Sequence, residues 1–140
     1  MKLILVSAMV VIIGGLRPIA ATAQDTLSLE LLESVAKTLN ERMPMKVDSE
    51  TELTRITAEP GALVYHGRFT SPDVATFPPD QLRAALQPVV TRKACTNSNT
   101  RRGFLDRGVT IRYRYSDRDG KFITSFDVTA ADCELITTDR

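Results

Sequence analysis

The chain has 140 residues, of which 43% are apolar and 25% charged, with a formal net charge of +1. That length fits one domain behind a short leader. The near-neutral balance excludes a general electrostatic pull on nucleic acid or on an anionic membrane.

The leader comes first in chain order. Lys2 supplies a positive start, Leu3 to Leu16 is almost wholly apolar or small, and Ala21-Thr22-Ala23 is an A-x-A cleavage signal. This pattern predicts a signal peptide over residues 1–23 and a single mature domain over 24–140, beginning at Gln24. Losing Lys2 and Arg17 leaves 16 basic against 17 acidic residues. The apolar run falls short of the roughly 20 residues a membrane span needs, so no stable membrane insertion is expected. The first cysteine is Cys95, so no lipid anchor is expected at the cleavage point. The expected compartment is the periplasm or the exterior.

The first predicted helix covers Asp25 to Met43. Leu27, Leu31, Leu32, Val35, Leu39 and Met43 recur at three- and four-residue steps, Ser28 or Thr26 can cap the start, and Pro44 ends it. Lys46 to Thr70 reads as a hairpin turning at Glu59-Pro60-Gly61, where Pro presets φ and Gly accepts a positive one. Leu53 and Ile56 fall on opposite parities, which predicts a bulge or an edge in its first strand. A Pro-rich connector runs from Ser71 to Pro79. A second helix is expected after a cap at Asp80, with Leu82, Ala85, Leu86, Val89 and Val90 on one face and a kink or break at Pro88. A short helix through Phe104 and Leu105 should end at Gly108.

The last hairpin is the most informative stretch. Val109, Ile111, Tyr113 and Tyr115 alternate with Thr110, Arg112, Arg114 and Ser116, so tyrosines and arginines take opposite faces. A two-residue loop at Asp119-Gly120 pairs Tyr113 with Phe126 and Ile111 with Val128, and puts Phe122 on the same buried face. The tail after Cys133 should fray or add a short edge strand. Cys95 and Cys133, an even count in an exported chain, read as a disulfide closing a loop of 38 positions.

The chemical readings are mostly negative. Nucleic-acid binding needs aromatics beside Arg112 and Arg114, and the alternation separates them. A calcium loop needs oxygen ligands where Tyr115 and Phe126 stand. His66 is the only histidine and has no evident partner, and no nucleophile elbow, zinc motif or P-loop occurs. No catalytic, cofactor-binding or metal-binding residue is therefore assigned. Candidate partner-binding positions are Leu32, Val35 and Leu39, if the first helix lines a peptide groove, and Arg112 and Arg114 as a surface for an acidic partner.

One order of features is familiar. "LNERMPMKVDSETEL" (Leu39 to Leu53) follows the first helix; later come "ACTNSNTRRGFLDRGVTIRYRYSDRDGKF" and "TAADC". The chain resembles small periplasmic α/β proteins of the type II secretion pilotin kind, which carry one disulfide. Cys95 and Cys133 are the positions that map onto that kind, as structural residues. The resemblance implies a noncatalytic protein that binds a C-terminal segment of a secretin. The chain departs from the pattern in lacking the lipobox cysteine that carries a pilotin to the outer membrane.

The expected fold is α+β: a twisted antiparallel sheet of about four strands with helices mainly on one face, and one disulfide. The expected function is a noncatalytic periplasmic module for a protein or peptide partner. A secreted inhibitor or virulence-associated protein acting on another enzyme or host target is the alternative, with a small hydrolase third.

Overall fold

The computed structural model describes residues 27–137. The predicted leader and cleavage site lie outside those residues. Helix α1 runs Leu29–Asn40, capped by Ser28, whose Oγ accepts the Leu31 N–H at 3.2 Å. It is shorter than the predicted Asp25–Met43. After Asn40 the chain tightens into i to i−3 bonds, with the N–H groups of Glu41, Arg42 and Met43 donating to Thr38, Leu39 and Asn40 carbonyls, before Pro44.

The sheet has five strands in the order β1 (Met45–Lys46), β2 (Thr51–Glu59), β3 (Ala62–Phe69), β4 (Thr110–Ser116) and β5 (Phe122–Val128). Two corrections follow. The short β1 adds an unexpected fifth strand by pairing Met45 with Leu53. The sheet is mixed, because β3 and β4 pair in parallel, Leu63 beside Ile111 and Tyr65 beside Tyr113. The physical cause is the long connection between them: a 3-10 turn over Pro72–Thr76, α2 (Pro79–Thr96), α3 (Ser98–Gly103) and a second 3-10 turn over Leu105–Arg107. That helical crossover returns the chain to start β4 in the direction of β3.

The first hairpin turns at Pro60-Gly61, with Gly61 at φ 73°. The register shifts between Leu53 and Arg55, the expected bulge. Helix α2 starts with Pro79 in its first turn and has no side-chain cap; Asp80 sits one place further on, at the positive end of the dipole. It runs unbroken through Pro88. The last hairpin keeps the predicted register from Ile111–Val128 to Tyr115–Thr124. It then slips, so that Ser116 pairs with Phe122. The turn is therefore longer than two residues. Asp117 organises it: its Oδ1 accepts the N–H groups of Asp119 and Lys121, both at 2.9 Å. After β5 the chain forms α4 (Ala130–Thr137) instead of a frayed or extended tail. Asp132 starts it, accepting from both the N–H and the hydroxyl of Thr129.

One core joins most of these elements: Leu32 and Ala36 of α1, Ile56, Leu63 and Phe69 of the first hairpin, Ile111, Tyr115, Phe126 and Val128 of the second, and Leu105 of the second 3-10 turn. The helices cover this face, and Cys95 of α2 is bonded to Cys133 of α4, with Cα atoms 5.3 Å apart. Helix α1 also seals an edge. Asn40 Nδ2 donates to the Ile56 carbonyl at 2.8 Å and its Oδ1 accepts the Ile56 N–H at 2.7 Å, as a neighbouring strand would. Asn40→Ala is expected to cost about 1 kcal/mol in urea unfolding, because water can reach part of the vacated edge.

Candidate binding groove

Helix α2 does not lie flush on the sheet. Leu82, Leu86 and Val90 are half-buried, Ala85 is exposed, and Val89 is 54% exposed. Between α2 and the strands lies a groove of about 220 Å³. Its helical wall is Leu86, Val89 and Val90, and its sheet wall includes Leu53, Tyr65, Tyr113 and Tyr115. Val47 and Asp48, from the loop after β1, and Lys93, from α2, stand at its rim.

The floor is aromatic and fixed. Tyr115 stacks on Phe69 and Phe126 at centroid distances of 5.3 and 5.9 Å, and Tyr65 meets Tyr113 edge-on at 5.5 Å. Gly67 makes room for this packing: a Cβ there would lie 2.8 Å from two Tyr115 ring carbons. Burial raises the pKa of Tyr65 and, more strongly, that of Tyr113. Burial, with a further push from the Asp48 carboxylate, takes Tyr115 up to about 12. All three phenols stay neutral at ordinary pH, so the floor is a greasy surface with polar handles and no phenolate nucleophile.

The predicted site positions distribute unevenly around this groove. Leu32 is fully buried and Val35 and Leu39 pack against the core, so that stripe of α1 faces the sheet and does not line the groove. Leu31, read as part of the buried stripe, is 46% exposed. Arg112 and Arg114 are on the opposite, solvated face of the sheet. Arg112 is held by Asp127 through two bonds, at 2.8 and 3.2 Å, and by Glu59 at 2.8 Å. The Asp127 bonds, with Glu59 beside them, raise its pKa further. Arg114 lies 4.2 Å from the centroid of the Phe122 ring. Phe122 itself is a correction: the slip at Ser116 turns it off the buried face and leaves it 47% exposed beside Arg114.

His66 Nε2 is 2.9 Å from the Thr57 hydroxyl, so the ring is held by a neutral partner. Among the described residues no cluster of three or more His, Cys, Asp or Glu side chains could hold a metal ion, and no helix is long and apolar enough to cross a membrane. The groove residues had a partial signal in the sequence. The apolar stripe of α2 was visible, but not that the sheet would cover only part of it.

This mixed five-stranded sheet with helices on one face is a pilotin-like α+β fold. The likeness is specific in three solved structures. A Pseudomonas aeruginosa protein described as secreted is 22% identical, with 81% of this chain and 98% of that one covered at a TM-score of 0.61. EpsS, the pilotin of the Vibrio vulnificus type 2 secretion system, is 22% identical, with 75% and 90% covered at 0.62. AspS, the type II secretion system pilotin of Vibrio cholerae, is 20% identical, with 79% and 95% covered at 0.61. At these identities the likeness is one of fold. No family model and no curated protein sequence matches the chain.

Proposed function

We propose that this chain is an exported, noncatalytic binding module with a pilotin-like role, and that its groove takes an apolar segment near the C-terminus of a secretin. In this reading residues 1–23 are removed at Gln24, and residues 24–140 work as one domain in the periplasm or outside the cell. The observation that carries the reading is the groove beside α2, where Val89 remains 54% exposed and stands opposite a neutral aromatic floor. Apolar side chains left open in a concave wall are the usual means of holding an amphipathic peptide, whose spaced apolar anchors replace the missing cover. The pilotin-like fold of EpsS and AspS supports the same class of partner.

Val89→Asp tests it. The residue is exposed enough that the substitution should leave the melting temperature nearly unchanged, while a carboxylate in the groove wall must be desolvated when a peptide docks. Binding of synthetic secretin C-terminal peptides, followed by calorimetry, is expected to weaken at least tenfold. The reading is overturned if no such peptide binds the parent protein, or if Val89→Asp binds as tightly as the parent. The inhibitor-type reading would then take its place.

A further inference from the structure

The solvated face of the sheet is organised in rows, and one row is out of balance. In the row containing Arg112 the charge is matched by Asp127 and Glu59. In the row containing Arg68 it is matched by Glu52. Between them the register aligns Arg55 of β2, His66 of β3, Arg114 of β4 and Ser125 of β5. That row has no acid. Among the described residues the ion pairs involve Arg68, Arg101 and Arg112, and neither Arg55 nor Arg114 takes part in one. Arg55 and Arg114 flank His66 on either side, so the row presents two cations with no acid between them.

Local irregularities shape the place. The bulge in β2 brings Thr54 and Arg55, two consecutive residues, to the same cleft, and the slip in the last hairpin brings Phe122 there under Arg114. Bulges commonly re-aim side chains in this way. The guanidinium of Arg114 is held on the ring face by a cation–π contact. The result is a cleft of about 440 Å³ walled by Arg55, His66, Arg68, Arg114 and Phe122. Burial comes first among the causes that lower the His66 pKa, followed by Arg55 and then Arg114, with Glu59 opposing. Its ring therefore feels both unmatched charges.

We infer that the Arg55–His66–Arg114 row is a binding site for a phosphate-bearing ligand. Two guanidiniums supply about the charge of one phosphate dianion, where a single carboxylate would leave one unmatched, and planar guanidinium forks suit phosphate oxygens. The cleft is roomier than a phosphate ion alone needs, which fits a phosphate carried on a larger polar body. The site is on the face opposite the α2 groove and does not depend on that groove's function.

Inorganic phosphate is the first probe, titrated into the purified protein against chloride at constant ionic strength, with arginine side-chain and backbone NMR signals as readout. Saturable shifts are expected at Arg55, Arg114 and His66. The R55Q/R114Q double variant should bind at least tenfold more weakly while still unfolding cooperatively, since both side chains are exposed. Arg107→Gln, at an exposed arginine elsewhere, should change nothing. Vesicles identify the source of the phosphate. Sedimentation with phosphatidylglycerol–phosphatidylcholine vesicles that is lost in the double variant assigns a lipid headgroup, whereas response to inorganic phosphate alone assigns a soluble ester. The inference fails if shifts at Arg55 and Arg114 do not saturate, if Arg107 responds equally, or if the double variant keeps the parent affinity.

Discussion

Cys95→Ser, Cys133→Ser and the double variant are each expected to melt roughly 10 °C or more below the parent protein. The bridge joins α2 to α4 across a sequence separation of 38, and both cysteines are buried. Chain-entropy reasoning gives such a loop about 3–4 kcal/mol, by restricting the unfolded chain. A domain of this size buries a limited apolar core, so that contribution is a large fraction of its net stability. In a chain a little above 100 residues, 1 kcal/mol moves the melting temperature by about 3–5 °C. One bond is missing in all three variants, so the double should fall no further than the worse single. Scanning calorimetry of oxidised and reduced protein checks the same point without mutation. Equal melting of the two would refute a structural role for the bridge.

Gly67→Ala should cost about 1–3 kcal/mol, the range for overpacking a well-filled interior. The new methyl would sit 2.8 Å from Cδ1 and Cε1 of Tyr115. That ring has little room to retreat, because Phe69 and Phe126 are both stacked against it. The cost should appear as a lower urea midpoint with an unchanged slope. Since Tyr115 is also part of the groove floor, peptide affinity should fall with stability, unlike the outcome for Val89→Asp. Gly103→Ala is the control: its methyl meets nothing within 4 Å, so stability should stay within about 0.5 kcal/mol of the parent. A Gly67→Ala protein as stable as the parent would show that Tyr115 is free to move.

How far the sequence discloses this structure depends on the range of the interactions involved. The alternation from Val109 to Ser116 and the apolar parity of Phe126 and Val128 are local, and they specify the register of the last hairpin. Gly61 and the β2 bulge are equally local and equally legible. The parallel seam is not, since no short-range pattern reports which strand β4 will lie beside. Phe122 departs from the alternation because one bulge reverses the parity of every residue beyond it. Helix α4 has only the cap spacing of Thr129 and Asp132 to announce it, because the tail is short and carries few apolar residues. The disulfide followed from compartment and cysteine count, and the structure adds that its partners are two helices. The groove is a tertiary gap. The residues on its helical wall were visible as an apolar stripe, but the depth to which that stripe is covered is set by packing that the sequence does not display.

The parallel seam also imposes an order on assembly. Each hairpin closes locally, on a timescale of about 1–10 µs for such elements, whereas the seam must bring Leu63 beside Ile111 across the whole helical crossover. Non-local pairing of this kind is the slow step in mixed sheets. Until it happens β3 and β4 each expose an unpaired edge, the template on which a second chain can add. Cys95 and Cys133 both come after β3, with the second hairpin between them. An oxidising compartment can therefore lock α2, α4 and that hairpin together while the first hairpin is still searching for its place. The crosslink would then shorten the time in which two half-built copies can trap one another.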